Sequence, residues 1–523
     1  MPHLRIILAS AVAALVIALT ALARRLPVPT PILQVVAGLL VGLVPGIAIP
    51  QLEPDLVFFV FLPPILWAAA FFTSFREFKA NLRPISLLAV GLVLATSIAV
   101  ALAARALLPG IPWAVAIALG AIVSPPDAVA AAAIVSRLPV PRRVVVILEG
   151  ESLVNDASAL VIYRTAVAAA VTGLFSWGES IVRFFIDAGV GALIGLLVGW
   201  LIIRAAKWTR DALAETLLTL VGPYVAWVAA ETMHVSAVLA CVAGGLYVRQ
   251  HLSMAVAPMS RVQALAVWDL LVFLLNAMIF LLLGVQFGAL VQGVPAGTIG
   301  DVLRAGLVVS AVAIVVRLAW VPIGTWLPRL LSRDVRQRDP VPQWKPIFLV
   351  SWTSMRGIVS LATALALPRV LGDGSPFPYR SELILITMCV IVVTLLVQGL
   401  SLAPIIRAFR FAPEATHLAE ERLARREALR RGAEALDDLA REPWADPTDV
   451  ASLRAEVRER GRMHEHHGGH STGRRRLRQG MIDAERRMLV RLRNEGAISD
   501  DVQRELEQEL DLDAIRVGAG HQR

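Results

Sequence analysis

Read for hydrophobic and polar positions, the chain is a succession of apolar runs parted by short polar breaks, followed from Ala412 by dense charge. A helix needs roughly 20 apolar residues to cross a bilayer's hydrocarbon core, and only structures that satisfy their own backbone can remain there. The pattern predicts about thirteen spans, at 4–24, 30–49, 55–74, 83–108, 112–136, 143–172, 181–206, 213–231, 234–250, 263–294, 300–331, 344–370 and 381–410. Beyond them, segments near 415–440 and 480–512 combine helical spacing with Glu/Arg pairing, around a loop rich in Gly, His and Arg. Residues 412–523 are therefore expected to form a solvated helical tail that can serve as a dimer contact.

Composition supports an all-α polytopic membrane protein. The 523 residues are 57% hydrophobic and 17% charged, with a mean hydropathy of +0.67. Cys241 and Cys389 lie far apart in apolar runs, which argues against a disulfide framework. The first 411 residues carry 29 basic and 18 acidic side chains, whereas the tail is near neutral at −2. That balance suggests an orientation signal rather than nucleic-acid binding. Alternate loops hold 18 basic residues, among them Arg24, Arg83, Arg143, Arg210 and Arg329, and the opposite side, from Arg5 to Arg380, holds six. The rich side is expected to be cytoplasmic, with the N-terminus outside and the tail inside a multi-pass cell membrane protein. The first span, followed by Arg24-Arg25, fits a retained helix better than a cleaved signal.

Several polar residues fall inside these runs. Pro125-Pro126 interrupts the fifth span and leaves the carbonyls of Ala121 and Ile122 without helical donors. A half-helix starting near Pro126 would put Asp127 at its positive N-terminal end. Free carbonyls, a carboxylate and a helix end at mid-bilayer are the parts of a cation site in a transporter. The sixth span carries Glu149, Glu151, Ser152, Asn155 and Asp156; Ser152 shares a helical face with Asp156, and Glu151 with Asn155. The turn between the two spans centres near Val140, so at ~1.5 Å per residue both Asp127 and Asp156 lie roughly 20 Å from it. The two acids reach similar depth. Acids in hydrocarbon cost roughly 2.5–3.5 kcal/mol each on insertion scales, so a converging group points to function over mere helix packing. For Glu151, an ion-pair role and an ion-contact role are equally open.

Arg356, in the twelfth span and followed by Gly357, needs a carboxylate partner. Arg164 and Arg317 read instead as ion-pairing or snorkelling residues. Asn276 and Gln286 fit hydrogen bonding between helices better than ion contact. His464, Glu465, His466, His467 and His470 fit a solvated linker better than a metal site, because the spacing is not HExxH and no cysteine is near.

The pieces SPPDAVA, GESLVNDASALV, NAMIFLLLGVQ, SMRGIVSLATALALP and TLLVQGLSLAPII resemble the cation/proton antiporter family 1, the sodium/proton exchanger or NhaP-like group, over essentially the whole membrane part. The end of the tail resembles that of bacterial members. The resemblance implies inverted repeats with broken, crossing fifth and twelfth helices in a homodimer of thirteen-span protomers. It implies a transmembrane domain at 1–411, with an ion-carrying core at about 83–172 and 300–410 and a dimer side at about 1–74 and 207–294. It assigns Asp156 as the essential ion and proton carrier, Asp127 and Ser152 as further Na+ ligands, and Glu151 with Arg356 as an ion pair steadying the core. Asn155 stands where electrogenic relatives have a second aspartate, which implies electroneutral one-for-one exchange. One departure is local: the family's Thr-Asp-Pro order is replaced by Pro126-Asp127-Ala128. Ser124 or the Pro126 carbonyl would have to serve where the threonine hydroxyl is missing.

The expected function is secondary exchange of a monovalent cation, Na+ first, for H+ by alternating access, with no cofactor beyond the transported ions. Its partners are those ions, membrane lipid and a second copy of the chain. Potassium/proton or broad alkali-cation exchange is the alternative within transport, and a membrane sensor acting through the tail is the alternative outside it. No nucleophile–base pair or metal motif among the spans suggests an enzyme.

Overall fold

The computed structural model describes residues 15–465 except 24–27, 45–52, 136–137, 174–176, 210, 257, 293–295, 340 and 412–414, then isolated helical residues between 480 and 510. His466, His467 and His470 lie outside the described residues. Chain contacts divide the molecule into two compact units, Met1–Pro413 and Glu414–Arg523.

The described part of the first unit is helical apart from one isolated bridge between Val370 and Pro376. In chain order its principal helices are α1 (15–23), α2 (Thr30–Gly42), α3 (Val57–Phe72), α4 (Leu82–Leu107), the half-helices α5a (Trp113–Val123) and α5b (Ala128–Val135), α6 (Arg142–Thr172) and α7 (Trp177–Thr209). There follow α8 (Ala212–Thr232), α9 (Ala237–Ala255), α10 (Pro258–Gln292), α11 (Ala296–Leu331), the half-helices α12a (Trp344–Trp352) and α12b (Ile358–Leu365), and α13 (Arg380–Phe409). Among the described residues, α4, α7, α8, α10, α11 and α13 contain stretches long and apolar enough to cross a membrane by themselves, while α2, α3 and α5a are shorter apolar helices. Outward-facing residues such as Leu40, Phe185, Leu193 and Val315 are apolar and exposed, as suits a surface solvated by lipid.

Two groups of helices pack side by side. In one, α2 lies along α10, and α9 packs on α7, α8 and α3. The α2–α10 seam is a contact of backbones. A Cβ on Gly38 would stand 2.1 Å from the Leu281 carbonyl oxygen, and one on Gly284 would stand 2.1 Å from that of Val35. Small residues four apart allow this approach where lipid supplies no hydrophobic drive for helix association. In the other group, α5a packs between α4 and α6, and α11 packs on α13, α4 and α12a. A buried apolar cluster from Val100 through Leu119 and Val309 to Ile386 fills its interior.

The second unit contains two helices, α14 (Ala415–Leu439) and α15 (Pro447–Glu465). Arg454 of α15 pairs with Asp437 of α14 at 2.7 Å, and Arg430 with Glu434 one turn along α14 at 2.5 Å. Such exposed pairs contribute little to stability.

Candidate functional site

The helix break expected at Pro125-Pro126 is present: α5a ends at Val123, and the next helical residue is Ala128. The twelfth span is broken too, over residues 353–357. The two breaks meet and bond to each other. The Asp127 backbone N–H donates to the Met355 carbonyl at 2.7 Å. The Arg356 guanidinium Nε donates to the Val123 carbonyl at 2.9 Å, one of the acceptors released where α5a ends. Of the carbonyls left without helical donors by the prolines, that of Ala121 accepts the Ser124 hydroxyl at 3.1 Å. Each unwound segment therefore supplies partners that the other lacks, which is the condition for non-helical backbone at membrane depth.

The acids come together around this crossing. Asn155, fully buried, donates its side-chain amide to the Pro126 carbonyl at 2.9 Å, so the residues adjoining Asp127 and Asp156 are in direct contact. Asp156 is 6% exposed, Asp127 is half-buried, and their carboxylates lie within electrostatic reach of one another. Because only the NH2 of the Asn155 amide can donate to a carbonyl, its Oδ1 is fixed as the other atom, and that oxygen is buried with no hydrogen-bond partner among the described residues. Ser152 is half-buried one turn before Asp156. The Pro126 carbonyl, named from the sequence as a ligand, keeps one lone pair beside the one used by Asn155. The crossing thus brings together two carboxylates, an orphaned amide oxygen and a carbonyl, with the Ser152 hydroxyl one turn along α6. These are all hard oxygen donors, suited to an alkali cation or a proton.

Gly357 sets the gap between the breaks. A Cβ there would fall 1.7 Å from Asp127 Oδ2. No side chain larger than hydrogen fits while Asp127 stays in place.

The expected pairing of Glu151 with Arg356 is corrected. Glu151 instead meets Arg317 of α11 in a two-pronged pair, Nη1 to Oε1 at 2.5 Å and Nη2 to Oε2 at 2.7 Å. Arg317 Nε adds a bond to the Val350 carbonyl of α12a at 3.1 Å, and each side chain of the pair is 1% exposed. Arg356 meets no carboxylate within ion-pair distance among the described residues. Its fork bonds Val123 and, through Nη1, both oxygens of Ser354, while its backbone N–H donates to Thr394 Oγ1 at 3.1 Å. The physical reason is that Arg356 is held at the crossing, where it bonds the Val123 and Ser354 carbonyls freed by the breaks and the ends of half-helices carry partial negative charge, so it has acceptors without a carboxylate.

The sequence reading also passed over Gln398 and Ser360. Both are at most 1% exposed, and neither the Gln398 amide nor the Ser360 hydroxyl has a hydrogen-bond partner among the described residues. Gln398 lies in the quoted TLLVQG run, so the signal was present as a lone polar residue in an apolar helix. Of the two residues assigned to helix–helix hydrogen bonding, Asn276 leaves its Oδ1 buried without a partner among the described residues, whereas Gln286 is engaged. Arg164 faces Glu231 of α8 at 4.0 Å, an exposed and loose pair.

Crossed, broken helices that bury carboxylates within a polytopic helical bundle define a secondary ion transporter rather than an enzyme. Comparison with known proteins narrows the class. The family model described as sodium/hydrogen exchanger, transmembrane, matches residues 11–408, and the chain belongs to that family. It is 35% identical to an uncharacterized Na+/H+ exchanger of Mycobacterium tuberculosis, over 98% of this chain and 96% of the relative. It is 34% identical to a sodium, potassium, lithium and rubidium/H+ antiporter of Bacillus pumilus, over 72% of this chain and 57% of that protein. The fold matches that of the sodium proton antiporter MjNhaP1 of Methanocaldococcus jannaschii, with a TM-score of 0.60 at 18% identity over 76% of this chain and 96% of that one.

Proposed function

We propose that the chain exchanges Na+ for H+ one for one, with both competing for Asp156. A bare carboxylate in a buried site is costly, and either occupant neutralises it. The loaded site is then free to change sides while the empty, charged one is held back. Na+ is the substrate, with Asp156, Asp127, Ser152, the Asn155 Oδ1 and the remaining lone pair of Pro126 as its ligands. The observation that carries this reading is the buried Asn155 Oδ1 beside two acids, without a hydrogen-bond partner among the described residues. An orphaned acceptor costs stability unless a cation or a donor fills its place. A single carrier carboxylate, with Asn155 in the neighbouring position, supports electroneutral exchange. Arginine-rich loops on one side support a cytoplasmic tail and an external N-terminus, and the family resemblance supports a homodimer in the cell membrane.

A second reading is broader selectivity, because a relative 34% identical to this chain is named for four alkali cations. Initial rates with Na+, K+, Li+ and Rb+ in proteoliposomes separate the two. The test of the site is cation-driven proton movement, wild type beside Asp156→Asn. The variant is expected to abolish exchange while still purifying as a folded protein, and full Na+-driven proton movement by it would overturn the assignment.

A further inference from the structure

At the ends of α4, α6 and α11, away from the crossing, three guanidinium groups meet one carboxylate. Asp339, in the connection between α11 and α12a, accepts from Arg83 at 2.5 Å, from Arg143 at 2.9 and 3.0 Å and from Arg329 at 2.8 Å; Arg329 also donates Nε to the Asp339 carbonyl at 2.9 Å. The nearby acid Glu77 is engaged by Arg142 at 2.8 Å. Three positive charges against one negative leave an excess of two. Arg329 is 5% exposed and held in place, whereas Arg83 and Arg143 remain 33% and 43% exposed, open to an outside ligand.

Beside this cluster lies a cavity of about 200 Å³ whose mouth is shared by the same three arginines. Its wall is apolar, with Leu87, Leu88, Ile147, Trp320, Val321 and Ile347 among the lining residues. The Trp320 indole N–H is already spent on the Leu87 carbonyl at 3.0 Å. Water finds few partners in such a space. On α11 the neighbouring Ile323, Trp326 and Leu327 are exposed, as residues facing acyl chains are. The shape and charge, an apolar slot under a cationic rim next to the lipid-facing surface, complement a molecule with an anionic head and a hydrocarbon tail.

We propose that this cavity is a binding site for an anionic phospholipid, with an acyl chain in the slot and the headgroup phosphate on Arg83 and Arg143, and that Asp339 is its built-in competitor. Basic pockets between helices at a membrane face are a recognised means of holding such headgroups. Burial favours the protonated form of Asp339, but the hydrogen bonds and charges of Arg143 and Arg329 prevail and hold its carboxyl below the usual carboxylate range. It therefore remains a charged rival at neutral pH. The site makes no use of the ion-binding residues and stands whether or not the exchange reading does.

Full-length protein in phosphatidylcholine nanodiscs doped with phosphatidylglycerol tests this by counting the lipids retained in native mass spectrometry. Phosphatidylglycerol is expected to be enriched over phosphatidylcholine, and Asp339→Asn to enrich it further. The paired change Arg83→Gln with Arg143→Gln is expected to reduce retention by about fivefold per arginine. Gly324→Leu gives a test that leaves every charge in place. Gly324 lines the cavity inside α11, and a Cβ there meets nothing closer than 4.0 Å, so leucine fills the slot without breaking the helix. It too should reduce retention, and inorganic phosphate should not compete. Equal retention of the two lipids, wild-type retention by Gly324→Leu, or displacement by phosphate alone would each overturn the proposal.

Discussion

Glu151 and Arg317 are each 1% exposed and bonded through both prongs of the guanidinium fork. Such a pair is demanding because its desolvation cost is met only while both partners are present. Arg317→Met or Glu151→Leu alone should therefore destabilise the protein by about 3–5 kcal/mol. The double change Glu151→Leu with Arg317→Met should restore most of the loss, since well-packed apolar replacements leave no bare charge. Thermal unfolding of the three purified variants checks this, and additive losses would show that the two residues act independently. Asp127 and Asp156 stand out in the sequence because two acids at similar depth beside a helix break are more than helix packing requires. The partner of Glu151 does not. Arg164, Arg317 and Arg356 all interrupt apolar runs, and choosing among them requires knowing which helix packs against the Glu151 face of α6. Arg356 misled because two of its acceptors, the carbonyls of Val123 and Ser354, are backbone atoms that no side-chain pattern reports.

At the scale of elements, the two breaks differ in how they are written. Pro125-Pro126 announces the first, since proline removes a donor and crowds the preceding turn. No proline lies within the second break; it is held open by Thr394 accepting from the Arg356 N–H, by Met355 accepting from Asp127, and by the absence of a side chain at Gly357. Its location therefore depends on the partner segment more than on its own residues. Gly357→Ala should displace Asp127, because the added Cβ would crowd its carboxylate and come within 2.7 Å of its Cβ. Weakening one charge-assisted contact by about 1.4 kcal/mol would raise the half-saturating Na+ concentration roughly tenfold. Initial exchange rates over a Na+ series measure this, and an unchanged half-saturating concentration would remove Asp127 from the ion site.

For the whole molecule, every residue of the proposed ion site falls in the unit Met1–Pro413. Truncation after residue 415 should therefore leave substantial cation-driven proton movement in vesicles, whereas a protein whose output was the tail would lose its function. The apolar runs made the helical bundle readable. The seam of α2 on α10 was not, because Gly38 and Gly284 are separated by most of the membrane part and each is unremarked in its own helix. One consequence follows from the mutual bonding of the two breaks. With Asp127 tied to Met355, Arg356 to Val123 and Asn155 to Pro126, the ligands are fixed to one another rather than to the walls on either side. For the proposed exchange, the site therefore moves between the two faces as one set of groups, and the two ion gradients alone decide which way a one-for-one carrier runs, stopping when their ratios are equal.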